Sequence, residues 1–254
     1  MSCPVVVVWG KNGSGKTTCA VNLACLLADT QKIVGLISSN LYYPELQSFL
    51  DFRVSPEKGS HAALSSYSIA QTQSFFVESG SNKNVFVLSP PNQCNAINAC
   101  EQDKEEVERL IDRSRLSFDY LVIDGSADLQ SAITFLSMRL ASYILTLYPV
   151  TISAGLWHQS HSLIFQHLHM TDRMINVLNA DNNACERDVF LSAIGFKPEY
   201  ELPYVPKADI YANSGKPIIY QSEKYALSYR KTLDKILLHV MDKSSVLAGK
   251  RGLL

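Results

Sequence analysis

Gly10, Gly15, Lys16 and Thr17 are the residues whose types and spacing most directly imply chemistry. They complete G-x-x-x-x-G-K-[ST] inside Val5–Thr18, V-V-V-V-W-G-K-N-G-S-G-K-T-T. Glycines let a backbone curl so that its N–H groups converge on phosphate oxygens. In such a loop Asn12, Gly13, Ser14 and Thr18 complete the cradle, the Lys16 ammonium lies against the terminal phosphates, and the Thr17 hydroxyl can ligate Mg²⁺. A further lysine, Lys11, follows Gly10 directly.

A phosphate loop works only between a strand and a helix. Val5–Trp9 is β-branched and aromatic and reads as a buried strand. Thr17–Ala28 carries Cys19, Ala20, Leu23, Ala24, Leu26 and Leu27 at helical spacing, so a helix N-terminus and its dipole face the anion. Apolar strands follow at 33–38, 85–88, 120–124, 143–147 and 175–178, with a last one near 200–202. Helices are expected at 44–50, 101–115, 133–140, 153–170, 208–213 and 221–241, and a weakly periodic segment spans 55–82. Continuous apolar strands separated by helices predict an α/β fold: a doubly wound, mostly parallel sheet with helices on both faces. No repeat, linker or low-complexity stretch interrupts it, so a single domain over 1–254 is expected. Ligands of such sheets bind beyond the carboxyl ends of the strands, where the loop lies.

Composition narrows the classes. With 46% hydrophobic and 19% charged residues, the 254-residue chain is not a disordered one. A net charge of −1 argues against a strongly basic nucleic-acid binder. No apolar run approaches the roughly 18 residues of a membrane span, and no basic leader precedes Val5, so a cytoplasmic protein is expected. The six cysteines include no C-x-x-C, which points away from zinc and iron–sulfur centres. Cys19 and Cys25 read as core, whereas Cys94 and Cys100 fall in a polar loop and are expected to be redox-labile. His158, His161, His167 and His169 surround Trp157 and read as a polar helix face.

Other residues complete a nucleotide site. Asp124 closes the strand Y-L-V-I-D, from which a carboxylate can hold a water on Mg²⁺ or accept from Thr17. Asn179 ends I-N-V-L-N, and its amide offers the donor and acceptor that suit an adenine edge. From Pro203 to Pro217 the chain reads P-Y-V-P-K-A-D-I-Y-A-N-S-G-K-P.

With G-K-x-G-x-G-K-T-T, Asp124, Asn179 and the Pro203–Pro217 segment, the chain resembles the ParA/MinD superfamily of deviant Walker A ATPases along essentially its whole length. The resemblance implies a P-loop NTPase fold that binds ATP and Mg²⁺, with Thr17 and, through water, Asp124 holding the metal. It implies adenine contacts from Asn179, Pro203 and Tyr204. It also implies an ATP-sandwich homodimer in which Lys11 reaches the partner's phosphates, so that Lys11 and Lys16 are the catalytic lysines. Gly125 and Ser126 stand at switch II, where the family has D-x-P, and the missing proline implies a looser loop. Val205 replaces a customary Asp. Ser38-Ser39-Asn40 replaces the D-x-D of switch I, so Asn40 offers an amide where a carboxylate would align water, and slow hydrolysis is expected. Asp51 is the candidate substitute.

These degenerate switches are similar to those of the TadZ/CpaE group. That likeness implies a switch protein that positions pilus or secretion machinery through a protein partner, in the cytoplasm or peripherally at the membrane or cell pole. The group usually carries a receiver-like domain ahead of the loop, whereas this sequence opens on the loop. One alternative is a ParA-like partition ATPase acting on DNA, for which residues from Glu223 onward supply seven Lys/Arg against three Asp/Glu. Another is a scaffold that binds ATP without turning it over. A nitrogenase-like iron protein would need a cysteine soon after Asp124. A tyrosine kinase of this fold would need a terminal tyrosine cluster, whereas Tyr220, Tyr225 and Tyr229 read as helix packing. Residues 246–254, V-L-A-G-K-R-G-L-L, are expected to form a disordered tail, with weak membrane association the alternative.

Overall fold

The computed structural model describes residues 3–95, 97, 103–181 and 185–250, the side chains of 242–250 excepted. In chain order the elements are β1 (Val5–Gly10), α1 (Lys16–Asp29), β2 (Val34–Ser38), α2 (Leu46–Leu50), α3 (Ser60–Leu64), α4 (Ile69–Ser74), β3 (Val77–Glu78), β4 (Val85–Leu88), α5 (Lys104–Arg115) and β5 (Tyr120–Asp124). Then come α6 (Ala132–Leu140), β6 (Tyr143–Pro149), α7 (Ile152–His167), β7 (Met174–Asp181), α8 (Arg187–Ile194), β8 (Tyr200–Pro203), α9 (Ala208–Ala212) and α10 (Lys224–Lys250).

The eight strands form one sheet in the order β3-β4-β2-β5-β1-β6-β7-β8. All neighbours are parallel except β3 and β4. β3 went unread in the sequence because two residues carry no period. β1 explains why V-V-V-V-W reads as an unbroken apolar run. Val6 and Val8 pack into the core that holds α1 and α10, while Val5, Val7 and Trp9 pack into the core of α5 and α6 on the other face. A strand covered on both sides has no polar face to alternate. From β1 the chain first winds outward to β2, leaving a place that β5 later fills, and then returns to β6 on the opposite side. The crevice at that reversal is where the loop after β1 opens.

α1 is buried from Cys19 to Ala28, which fixes its N-terminus against the sheet. Burial of side chains such as Leu23 and Leu27 contributes about 1.5–3 kcal/mol each. α5 is specified differently. The Asp103 carboxylate accepts from the Glu105 and Glu106 N–H groups, and Arg113 and Arg115 lie in the last turn, so charge complements the dipole at both ends. It starts at Lys104; Glu101 and Gln102 lie outside the described residues.

Four expectations change. α10 continues as helix through 246–250, where a disordered tail was expected; extending a helix already nucleated on the core from Ala226 to Val240 costs little. Residues 251–254 lie outside the described residues. Two of the four histidines leave the expected polar face, while His167 and His169 are exposed: the rings of Trp9, Trp157, His161 and Phe165 pack together, and His158 lies against Tyr148 and Phe196. Burial holds His158 below its ordinary value, with His161 adding to the effect. Of the three tyrosines only Tyr229 packs in the core; Tyr220 donates to Asp29 at 2.9 Å and Tyr225 is exposed. Cys94 is buried, with Sγ 3.0 Å from the Leu41 carbonyl and 3.5 Å from His61 Nε2, and burial raises its thiol, the opposite of a labile cysteine. Cys100 lies outside the described residues.

Candidate functional site

The loop from Gly10 to Thr17 turns over the carboxyl end of β1. Two glycines are obligatory on steric grounds. A Cβ at Gly10 would stand 2.6 Å from the Leu147 carbonyl oxygen. Gly15, the N-cap of α1, has φ 82°, and a Cβ there would collide with Nδ2 of Asn179. Asn179 Nδ2 donates to the Ser14 carbonyl at 2.6 Å, tying β7 to the phosphate loop. The Lys16 Nζ donates to the Lys11 carbonyl at 3.1 Å, which lays the lysine back across its own loop. Lys11, by contrast, is not among the residues that line the cleft; its Nζ donates to the Asn12 carbonyl at 3.2 Å.

β5 delivers Asp124 beside this loop, since Val8 of β1 is paired with Asp124 in register. Thr17 Oγ1 donates to Asp124 Oδ2 at 2.9 Å. The other carboxylate oxygen, Oδ1, is buried and has no hydrogen-bond partner among the described residues. Burial pushes the Asp124 carboxyl up to about 7, against the Thr17 bond and the Lys16 charge, while Glu45 pushes it further in the same direction. Lys16 is held below its ordinary value by burial, opposed by Asp124 and then Glu45, with Lys11 adding to the depression. A hydroxyl and a buried, partnerless carboxylate oxygen beside a lysine form an oxygen donor set that fits Mg²⁺.

The two switch positions border a cleft of about 700 Å³ that also takes in Asn12, Gly13, Gly15, Lys16, Thr17 and Thr18. Asn40 lines it, but its side chain is engaged: Oδ1 accepts from the N–H of Tyr42 at 2.9 Å and of Tyr43 at 3.4 Å. Ser39 Oγ donates to the Asp124 carbonyl at 2.7 Å, so this loop is fastened to β5. Gly125 and Ser126 line the cleft opposite. Their loop is not slack for want of proline, because the Gly125 N–H donates to Val8 and the Ser126 N–H to Thr134 Oγ1, both at 2.9 Å.

Asn179, Pro203 and Tyr204 sit on the β7–β8 side of β1, away from the β2 and β5 loops that form the cleft. Asn179 is buried and Tyr204 is exposed. Val205, in place of the customary Asp, packs into the core. Asp51 cannot replace Asn40: it ends α2 in the left-handed conformation, against Gly80 and Gly215. The structure adds Glu45, Tyr43 and Asp128 to the cleft, none of which the sequence reading singled out. Glu45 lies beside Pro44 at the head of a short helix, a setting in which glutamate is ordinary.

No protein-family model matches the chain. Its architecture is the MinD/ParA type of P-loop NTPase fold. It superposes on a ParA family ATPase from Chlorobium tepidum TLS with a TM-score of 0.78 at 17% identity, over 94% of this chain and 99% of that one. It superposes on the septum site-determining protein MinD from Pyrococcus horikoshii OT3, complexed with Mg-ADP, with a TM-score of 0.73 at 16% identity, over 92% and 96%. In sequence the chain is 34% identical over 142 residues to the mouse iron–sulfur cluster transfer protein NUBPL, covering 51% of this chain and 40% of that protein. The match therefore spans less than half of the curated relative's length.

Proposed function

We infer that this protein binds MgATP in the cleft, dimerises with it, and acts as a slow nucleotide switch that positions a cellular assembly. The observation that carries the reading is the joint of Thr17, Asp124 and Lys16 behind the glycine loop: a buried carboxylate oxygen without a partner among the described residues, beside a hydroxyl and an ammonium. The loop N–H groups and the α1 dipole face the β- and γ-phosphates, and Lys16 leaves the Lys11 carbonyl to meet them. Thr17 and, through water, Asp124 hold Mg²⁺, which when bound neutralises the phosphate charge. Asn179 bridges loop and base, since Nδ2 is engaged by Ser14 while Oδ1 can accept from the adenine amino group; Pro203 and Tyr204 flank the base.

Lys11 lies outside the cleft lining of its own chain and is assigned to the nucleotide of a second copy. The engaged amide of Asn40 supports slow turnover. The assembly assigned to this protein is pilus or secretion machinery, reached through a protein partner, with DNA partition as the alternative. No helix among the described residues is long and apolar enough to cross a membrane. The test is sedimentation of the parent and Lys11→Ala with MgATP. The parent should dimerise, and the variant should bind ATP within a few-fold of the parent yet stay monomeric. Equal dimerisation would make Lys11 an ordinary loop lysine.

A further inference from the structure

Among the described residues three carboxylates line the cleft: Glu45, Asp124 and Asp128. Asp124 is bonded to Thr17 and belongs to the metal side of the site. Asp128 is exposed and turned into its own loop, where Oδ1 accepts from the Gln130 N–H at 2.8 Å. Glu45 differs from both. It is half-buried, at the head of α2, and lines the same cleft as Lys16 and Asp124, near enough for its charge to act on both.

The fold holds Glu45 in that place. The Asn40 side chain bends residues 40–43 by accepting from Tyr42 and Tyr43, and Pro44 restricts the backbone entering α2. Leu46 and Leu50 are wholly buried and anchor the helix on the α1 core. On the outer side the Ser48 carbonyl accepts from the Gly215 N–H at 2.9 Å, and Gln47 exchanges hydrogen bonds with Asn92. Phe49 of this short, clamped helix also lines the cleft, and Glu45, at its N-cap, is the charged side chain placed there. Its charge, together with burial, also holds the neighbouring Tyr43 phenol above its ordinary value.

We propose that Glu45 is the carboxylate that positions the attacking water in this cleft, supplying from α2 what Asn40, as an amide engaged by its own loop, does not. The inference rests on MgATP binding as described above. The water oxygen bonds to the γ-phosphorus as the bridge to the β-phosphate breaks, ADP leaves, and the water proton passes to the Glu45 carboxylate and then to the released phosphate. Because phosphoryl transfer depends on alignment, a carboxylate on a clamped helix suffices without the customary aspartate.

The experiment measures ATP affinity and single-turnover hydrolysis on the full chain for the parent, Glu45→Gln and Glu45→Asp. Glu45→Gln should keep ATP affinity within a few-fold and lose roughly 10²-fold in rate, and Glu45→Asp should recover part of that loss. Glu45→Gln at the parent rate overturns the proposal. So does a parent that binds MgATP and never hydrolyses it; in both cases nucleotide binding stands. Proportional loss of affinity and rate in Glu45→Gln, with Glu45→Asp no better, assigns Glu45 a purely structural role and also overturns it. A parent that binds no nucleotide removes the function reading itself.

Discussion

Replacing Asp124 by Asn separates the cost of the site from its use. In the nucleotide-free protein, burial holds this carboxyl at about 7 instead of its ordinary 3.8. Ionising it therefore costs on the order of 4 kcal/mol of stability, since each pH unit is worth about 1.4 kcal/mol. The folded state binds this proton more tightly than the unfolded one does. The group's contribution is thus most favourable below the unfolded value and declines as pH rises through about 7. Asp124→Asn removes that dependence and can keep the Thr17 bond, while its NH₂ group inherits the partnerless position of Oδ1, at about 1–3 kcal/mol. The net expectation at pH 8 is a variant about 2 kcal/mol more stable than the parent, a melting temperature roughly 4–8 °C higher. The advantage should shrink or vanish at pH 5. Saturating Mg-nucleotide should reverse the order at pH 8, because only the parent gains full binding stabilisation. Thermal melts by circular dichroism at pH 5 and 8, with and without Mg-nucleotide, are the assay. A difference between variant and parent that does not change with pH would refute the reasoning.

Two further substitutions test the loop contacts. Asn179→Ala should weaken ATP binding about tenfold more than GTP binding, read by calorimetric competition; equal losses would leave Asn179 as a tether of Ser14 alone. Asn40→Asp can keep the turn to Tyr42 and Tyr43 while offering a second carboxylate oxygen to the cleft, so single-turnover hydrolysis should rise roughly tenfold or more at nearly unchanged ATP affinity. No gain would mean that a second carboxylate at position 40 adds nothing to the alignment proposed for Glu45.

The phosphate loop and its strand were legible because their chemistry is local. Glycine spacing, one lysine and a β-branched run depend on neighbours within the segment. Asp124 was legible for a related reason, since a carboxylate that ends an apolar strand of a parallel sheet emerges at the ligand-bearing edge. Glu45 was not, because its significance comes from α2 being pinned by Gly215 and Asn92, residues far away in sequence. Asp51 misled for the same reason: nothing local signals a left-handed residue packed against Gly80 and Gly215. The histidines of α7 read as polar by type, yet tertiary packing against Trp9 and Tyr148 turned two of them into ring contacts. Proline's absence after Asp124 suggested a loose loop, but hydrogen bonds to the Val8 carbonyl and the Thr134 hydroxyl hold it instead.

Nucleotide binding at the glycine loop is tested most directly by titrating MgATP into the parent and Lys16→Ala in a calorimeter. The parent should bind one nucleotide per chain. Lys16→Ala, which takes from the cleft lining its lysine beside Thr17 and Asp124, should show no measurable heat of binding under the same conditions. Equal affinity in the two proteins, or no binding by the parent with or without Mg²⁺, would contradict it.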